Sequence, residues 1–241
     1  MKRDIATVTR ETGSLTVHEI RQLVGRDDPV IIEIGANVGQ TTLEFLSVMP
    51  RARIYCFEPE PRAIAQFKAM VKSPNVTLIE CGVGNQNGTV NFHQSSGSEE
   101  YSNWNQSGSI RAPKEVTDVW PKLTFENTIQ IPIVRLDDWI KTQNIKRIDF
   151  IWADTQGAEG DLIQGGIETL NRARYFYTEF GFQELYDGQI SLGEIDAHLK
   201  NFSVMRVFAM DVLFENMSFK TGGEATWSLN STLSGRSGAK W

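Results

Sequence analysis

The sequence predicts a doubly wound α/β fold built around a parallel sheet. Five short apolar runs, rich in β-branched or aromatic residues, are typical of strands buried on both faces of such a sheet. Segments with helical spacing of apolar residues separate these runs, which indicates helical crossovers between parallel strands. At 241 residues with 40% hydrophobic content, the chain has the size of one main α/β domain. The five runs are "PVIIEIG", "ARIYCFEP", "VTLIECG", "RIDFIWAD" and "ARYFYTEF".

The other elements follow in order along the chain. Residues 1–29 form an N-terminal segment, in which "SLTVHEIRQLVG" predicts an amphipathic helix capped by Ser14. The segments "TTLEFLSVM", "RAIAQFKAMV" and "AEGDLIQGGIETL" predict crossover helices of a main domain over residues 30–230. "FSVMRVFAM" and "EATWSLN" predict two more strands, the second alternating in polarity as an antiparallel edge strand does. The predicted sheet therefore has seven strands, and residues 231–241 are expected to form a flexible tail.

A β-hairpin with a long loop is predicted as an insertion in this pattern. The strands of the hairpin are "GTVNFHQ" and "IQIPIVR". The Ser-, Gly- and Asn-rich stretch between them, at about residues 94–128, is long for a connection within one domain. It predicts a functional loop over the site, with a disordered surface loop as the alternative.

Composition excludes several classes of protein. The formal net charge is -6, and the 24 basic residues are spread thinly, so we expect no nucleic-acid partner. Cys56 and Cys81 both lie in apolar runs, as thiols do in a reducing compartment, and they form no CxxC pair. No window approaches about 18 consecutive apolar residues, the length needed to span a membrane. We therefore expect a soluble, cytoplasmic protein.

The turn after the first predicted strand has the pattern of a ligand site. In "VIIEIGANVG", Gly35 and Gly39 lie where a ligand could approach the backbone beyond the carboxyl end of a strand. A tight turn without a ligand is the alternative for the glycines alone. Glu58 ends the second strand, 23 residues after Gly35, where an acid accepts hydrogen bonds from ribose hydroxyls. The turn thus predicts a nucleoside ligand.

Glu33 distinguishes between two such ligands. The spacing E-x-G-x-N-x-G differs from the G-x-G-x-x-G of dinucleotide sites, and a carboxylate here would repel a pyrophosphate. S-adenosylmethionine (SAM) carries an ammonium, a sulfonium and a ribose but no phosphate. We therefore expect SAM as the cofactor, with S-adenosylhomocysteine (SAH) as its product, rather than NAD.

Five ordered segments of the chain resemble the FkbM-type SAM-dependent methyltransferases. They are "IIEIGANVGQTTLEFL", "IYCFEPEPRAIAQF", "ECGVGNQNGTVNF", "VRLDDWI" and "IDFIWADTQGAEGDLIQGG". The resemblance implies a class I methyltransferase fold, with a seven-stranded sheet whose last strand is antiparallel. It also implies methyl transfer to a hydroxyl of a small molecule, a sugar or glycan, or a polyketide-like acceptor. The cofactor-binding residues that it implies are Glu33, Gly35, Asn37, Gly39, Thr41, Glu58, Pro59, Gly82, Val83 and Asp154.

One segment departs from the pattern of this family. The family's D-V-E-G-x-E reads "DTQGAE" here, so Asp154 and Glu159 match but Gln156 replaces an acid. The loss of one carboxylate weakens the case for a divalent metal held by a carboxylate cluster. The three histidines also lack any metal-ligand spacing, so we expect no metal.

An alcohol acceptor needs a base to remove its proton. Asp154, at the end of the central strand, is the first candidate, with a role as ligand of the SAM ammonium or as helix cap equally open. Glu179 ends the fifth strand and is a second candidate, or a carboxylate that is simply paired at the end of the sheet. His93, which leads into the long loop, is a third candidate.

Four residues are predicted to contact the acceptor. Tyr101 and Trp104 could stack on a cyclic acceptor, or could hold the loop down. Ser109, in a small polar patch, could contact the acceptor or merely form the turn, and Gln156, at the mouth of the site, completes the set. Two other functions stay open at this level: a SAM-fold module that binds a partner without catalysis, and an NAD-dependent dehydrogenase. The sequence leaves the oligomeric state open.

Overall fold

The chain folds around a seven-stranded sheet and a smaller three-stranded one. The computed structural model describes residues 5, 8–97 and 103–219. The strands are β1 (Val30–Ile34), β2 (Arg53–Phe57), β3 (Val76–Ile79), β4 (Gly82–Val83), β5 (Gly88–Gly97), β6 (Leu123–Val134), β7 (Ile148–Ala153), β8 (Ala173–Glu179), β9 (Phe202–Val207) and β10 (Asp211–Asn216). The helices are α1 (Val17–Val24), α2 (Gln40–Val48), α3 (Pro61–Met70), α4 (Val116–Val119), α5 (Leu136–Thr142), α6 (Glu159–Leu170) and α7 (Leu192–His198).

The large sheet has the strand order β3-β2-β1-β7-β8-β10-β9. The first five strands in this order are parallel, and β10 runs antiparallel to both of its neighbours. This arrangement confirms the predicted α/β class I methyltransferase fold with an antiparallel last strand. The order reverses between β1 and β7, and in open α/β sheets a ligand binds beyond the carboxyl ends of the strands at such a point.

The last strand lies elsewhere than predicted. The segment "EATWSLN" lies outside the described residues, and Asp211–Asn216 supplies the seventh strand. The Phe208 amide donates to the Asp211 carbonyl at 2.8 Å, which closes a tight turn between β9 and β10. The predicted strand "FSVMRVFAM" ends at Met210, and the run after it was not assigned because the turn between them contains neither glycine nor proline to mark a hairpin.

Helices cover both faces of the sheet. One core cluster includes Leu136 of α5, Leu162 of α6 and Ile195 of α7, and the other includes Ile20 of α1 and Phe45 of α2. Alternate residues of β1 belong to opposite clusters, which is the reason the strand is a continuous apolar run. The doubly wound arrangement follows from this burial on two sides.

Helix α1 begins later than predicted. Thr16, rather than Ser14, is its N-cap: the Glu19 amide donates to the Thr16 hydroxyl, and the Thr16 amide donates to the Glu19 carboxylate. This reciprocal capping box needs a Glu or Gln three residues after the cap, and only Thr16 has one.

The predicted hairpin is confirmed, and its strands are longer than the sequence indicates. β5 and β6 pair antiparallel, and β4 adds to β6 as a short third strand. Residues 103–122, which include α4, lie over the carboxyl end of the large sheet and line the cavity described below. In the described part of the chain, no helix has the length and apolarity needed to cross a membrane.

Candidate active site

A turn of unusual backbone conformation links β1 to α2. Gly35, Asn37 and Gly39 all have positive φ, at 83°, 45° and 88°. The amides of Gly35 and Ala36 both donate to the Phe57 carbonyl at 3.0 Å, which fastens the turn to the end of β2. A residue other than glycine is strained at positive φ, so Asn37 marks a position under structural constraint.

At both glycines of the turn, the space that a Cβ would occupy is filled by other protein groups. A Cβ at position 35 would lie 1.9 Å from the Asp154 carbonyl oxygen, and one at position 39 would lie 2.5 Å from the side chain of Val71. Gly35 nevertheless lines the cavity, whereas Gly39 does not. Gly39 lets α3 and its C-terminal cap pack against the turn, and its role as a cofactor contact stays a prediction.

A cavity of about 910 Å³ opens beside this turn, between the carboxyl ends of the strands and the segment that follows β5. Its volume falls within the range of small-molecule sites. The predicted cofactor residues that line it are Gly35, Asn37, Thr41, Glu58, Pro59, Gly82, Val83 and Asp154. Eight of the ten predicted cofactor residues therefore surround one space, although their sequence positions span 35–154.

Glu58 is held in position at the floor of the cavity. Its two carboxylate oxygens accept hydrogen bonds from the amides of Asn37, at 2.7 Å, and Glu60, at 2.8 Å. Burial raises the pKa of Glu58 to about 7, against the lowering effect of these two amides. A carboxylate has further lone pairs, so Glu58 can accept from additional donors on a ligand in the cavity.

Glu33 faces away from the cavity, contrary to its predicted role. Its side chain is 1% exposed and accepts a hydrogen bond from the Thr42 hydroxyl at 2.6 Å, with the Cys56 thiol at 3.5 Å. Because side chains alternate along a strand, Glu33 lies on the face of β1 covered by α2. Burial raises its pKa to about 7. Glu33 therefore ties β1 to α2 and does not line the space for a ligand amine.

Asp154 and Glu179 form a carboxyl pair at the ends of β7 and β8. The Gln156 side-chain amide donates to both of them, at 2.7 Å to Asp154 Oδ1 and 3.2 Å to Glu179 Oε2. Burial, and for Glu179 also the nearby charge of Asp154, raises both pKa values, and a hydrogen bond between the two carboxyls favours the charged form of Asp154. The two carboxyls therefore titrate as one interacting pair, in which their hydrogen bond favours the charged form of Asp154.

Two more carboxyl groups surround this pair. The pKa of Glu159 is raised to about 7 and that of Asp211 to about 6, in both cases chiefly by burial and then by the charge of Asp154. Among the described residues, no lysine or arginine forms an ion pair with Asp154 or Glu179, although both line the cavity. An uncompensated acidic patch at the cavity wall favours a cationic ligand.

The segment after β5 forms the opposite wall of the cavity. The Trp104 indole donates to the Ser107 hydroxyl at 2.9 Å, and the Ser107 amide donates to the Ser95 hydroxyl at 3.1 Å. The Tyr186 hydroxyl lies 2.8 Å from the Ser107 carbonyl and 3.0 Å from Gln156 Oε1, so it joins this wall to the carboxyl pair. Trp104 and Gln156 thus line the cavity as predicted.

Two other predicted residues, His93 and Ser109, do not line the cavity. His93 lies on β5, where its Nδ1 is 3.2 Å from the Thr128 hydroxyl, outside the cavity lining. Ser109 is fully buried and accepts from the Arg111 amide at 3.0 Å, so it shapes the turn. His93 lies within the predicted strand, and neither side chain lines the cavity, so the roles of His93 and Ser109 at an acceptor stay predictions. Tyr101 lies outside the described residues.

Tyr186 and Asn105 are among the residues that line the cavity without having been singled out in the sequence. Tyr186 begins a turn that contains Gly188 and is closed by the Gln189 amide, which donates to the Tyr186 carbonyl at 3.0 Å, so the Asp-Gly pair was an available signal. Asn105 is next to Trp104 in the sequence, and that aromatic residue was the only signal near it. Among the described residues, no group of three or more His, Cys, Asp or Glu side chains has the arrangement of a metal site.

This fold and cavity define a methyltransferase of class I. Residues 33–204 match the methyltransferase FkbM domain, and the chain belongs to that family. It is 40% identical over 215 residues to the 2-O-methyltransferase NoeI of Sinorhizobium fredii, covering 87% of this chain and 88% of that protein. It is 24% identical to Methyltransferase 1 of Beauveria bassiana over 58% of this chain and 59% of that one. Among solved structures, Aeropyrum pernix fibrillarin superposes with a TM-score of 0.45 and 13% identity, covering 80% of this chain and 68% of fibrillarin.

Proposed function

We propose that this methyltransferase transfers the methyl group of SAM to a hydroxyl oxygen of a small-molecule or glycan acceptor. The observation that carries the proposal is Glu58, a carboxylate held by two backbone amides at the floor of the cavity. The 40% identity to a protein named as a 2-O-methyltransferase supports oxygen as the methyl acceptor.

The residues of the cavity fit the parts of SAM. Glu58 has free lone pairs for the two ribose hydroxyls. Phe57, Cys81 and Val83 supply an apolar slot for the adenine, and Gly82 lines the same slot. The uncompensated carboxyls described above suit the ammonium and the sulfonium. A pyrophosphate would meet the same carboxyls and would be repelled, which is the reason SAM fits better than NAD.

When bound, SAM supplies an electrophilic methyl group on its sulfonium. Asp154 takes the proton of the acceptor hydroxyl, since it lines the cavity at the end of β7 and its hydrogen bonds favour the charged form. Glu179 and Gln156 hold its carboxylate through hydrogen bonds and so orient it. The apolar wall at Trp104 limits water around the reacting oxygen, and alignment of this oxygen with the methyl group supplies much of the rate.

Calorimetric titration with SAH tests the cofactor, with NAD titrated in parallel. We expect saturable binding of SAH, weakened at least tenfold by Glu58→Ala because the ribose loses its acceptor. Glu126→Gln removes an exposed carboxylate of β6 and is the matched control, with unchanged affinity. Binding of NAD alone would overturn the cofactor, and binding of neither ligand would favour a partner-binding module.

The role of Asp154 needs a turnover assay over a panel of sugars and polyketide alcohols. If Asp154 is the base, Asp154→Asn abolishes methylation and leaves the dissociation constant of SAH within about threefold. If the same variant instead loses SAH, Asp154 is the ligand of the ammonium and the proposed base is wrong.

Cys56 and Cys81 are buried free thiols, which agrees with the predicted cytoplasmic location.

A further inference from the structure

One buried amide group at the wall of the cavity has no hydrogen-bond partner among the residues that the structure describes. Asn105 is only 7% exposed and lines the cavity. Its side-chain Nδ2 is fully buried, yet it donates to no acceptor among the described residues. Buried side-chain amides nearly always find a partner, so an orphaned donor in a native fold has a reason.

Asn105 lies directly across from the turn after β1. Its backbone carbonyl accepts from Asn37 Nδ2 at 3.0 Å, and the Asn37 amide in turn donates to Glu58 at 2.7 Å. The three residues thus form a row that begins at the carboxylate proposed to bind the ribose and ends at the unused amide. The row connects the segment after β5 to the part of the cavity at Glu58, where the cofactor is proposed to bind. This segment therefore contacts more than the part of the cavity at Trp104, where the acceptor is proposed to bind.

We propose that the side-chain amide of Asn105 donates a hydrogen bond to an oxygen or ring nitrogen of the bound nucleoside cofactor. The inference rests on the proposed function and adds to it that the segment after β5 is part of the cofactor site. Rotation about the Cβ–Cγ bond exchanges the amide nitrogen and oxygen and so turns the donor toward the cavity. Asn105 follows Trp104 in the sequence, and Trp104 is predicted to contact the acceptor. A cofactor that holds Asn105 therefore also holds this part of the cavity wall in place.

The side chain of Asn105 can be removed without breaking a bond of the free protein. Its amide nitrogen makes no hydrogen bond there, and its contact with Asn37 uses the backbone carbonyl. A merely structural role predicts lower stability and unchanged ligand affinity for Asn105→Ala. A ligand role predicts unchanged or higher stability and weaker binding.

The experiment measures the dissociation constant of SAH and the melting temperature of each variant. We expect Asn105→Ala to weaken SAH about tenfold with no loss of melting temperature. Asn105→Ser, which keeps a short donor, should give an intermediate constant and serves as the second variant if the alanine protein folds poorly. Asn103→Ala removes an exposed amide two residues away that does not line the cavity, and it should leave the constant unchanged.

The outcomes separate this inference from the proposed function. If wild type binds SAH and Glu58→Ala weakens it, while both Asn105 variants bind within twofold of wild type, Asn105 is no cofactor contact and the inference is wrong. A fall in melting temperature with unchanged affinity would also overturn it and assign Asn105 a packing role. If wild type fails to bind SAH at all, the proposed cofactor fails, and the inference fails with it.

Discussion

Replacement of Glu33 by glutamine should change how the stability of this protein depends on pH. Glu33 is 1% exposed and accepts hydrogen bonds from Thr42 and Cys56. Glutamine has nearly the same shape, and its carbonyl oxygen can accept the same bonds, but it carries no charge. The substitution therefore removes the buried charge and leaves the packing of α2 on β1 intact.

The magnitude follows from the raised pKa of this carboxyl group. Burial is the largest cause of the rise from the ordinary 4.5 to about 7, opposed by the hydrogen bonds of Thr42 and Cys56 and assisted by the charge of Glu58. Because the folded state binds the proton more tightly than the unfolded state, the free energy of unfolding falls as pH rises from 4.5 to 7. At about 1.4 kcal/mol per pH unit, Glu33 costs the folded protein about 3 kcal/mol above pH 7.

Urea unfolding at a series of pH values between 4 and 8 measures this effect. The difference in unfolding free energy between Glu33→Gln and wild type should grow by about 3 kcal/mol in favour of the variant over this range. Other titrating groups cancel in the difference. Glu126→Gln, at an exposed position of β6, is the control and should give a flat difference. A difference for Glu33→Gln that is independent of pH would refute the reasoning, because Glu33 would then titrate alike in both states.

Three further predictions follow from the site. Gly35→Ala should destabilise the protein by at least about 2 kcal/mol in thermal unfolding, since its Cβ would lie 1.9 Å from a backbone oxygen. Gly13→Ala, at a similar φ of 91° with nothing within 4 Å, should cost only the backbone strain of about 1–2 kcal/mol. The affinity for SAH should rise as pH increases through about 7, where Glu58 ionises, and should be flat in Glu58→Gln. Gln156→Glu should destabilise the protein by about 2–4 kcal/mol, more at pH 8 than at pH 5, because it adds a third carboxyl to a buried pair.

Each of these has a result that would contradict it. Equal melting temperatures for Gly35→Ala and Gly13→Ala would mean that the turn can move away from β7. An affinity for SAH that is the same at pH 6 and pH 8 in wild type would show that Glu58 is ionised throughout or does not touch the ligand. A pH-independent loss in Gln156→Glu would indicate that the lost amide donor, and not the new charge, is responsible.

Local patterns predicted the framework well, and they failed where distant segments meet. The apolar runs predicted β1, β2, β3, β7 and β8, and the helical spacing predicted the crossover helices α2, α3 and α6. Strand β10 was missed because a hairpin turn without glycine or proline leaves no mark in the sequence. Glu33 was misassigned because proximity to a glycine turn does not show on which face of a strand a side chain lies.

The sequence by itself determined the fold class and the family, and most of the cofactor residues that it predicted line one cavity. Strand tips and turn glycines lie at fixed distances along the chain, so Gly35 and Glu58 could be predicted from spacing, whereas Asn37 was predicted from the resemblance to the family. Only the tertiary structure decided that Gln156 bridges Asp154 to Glu179 and that Asn105 faces the turn. Gln156 and Glu179 are more than 20 residues apart in the sequence, and Asn105 is 68 residues from Asn37. Such contacts depend on side-chain directions that only the packed chain sets. The same packing turned His93 and Ser109 away from the cavity.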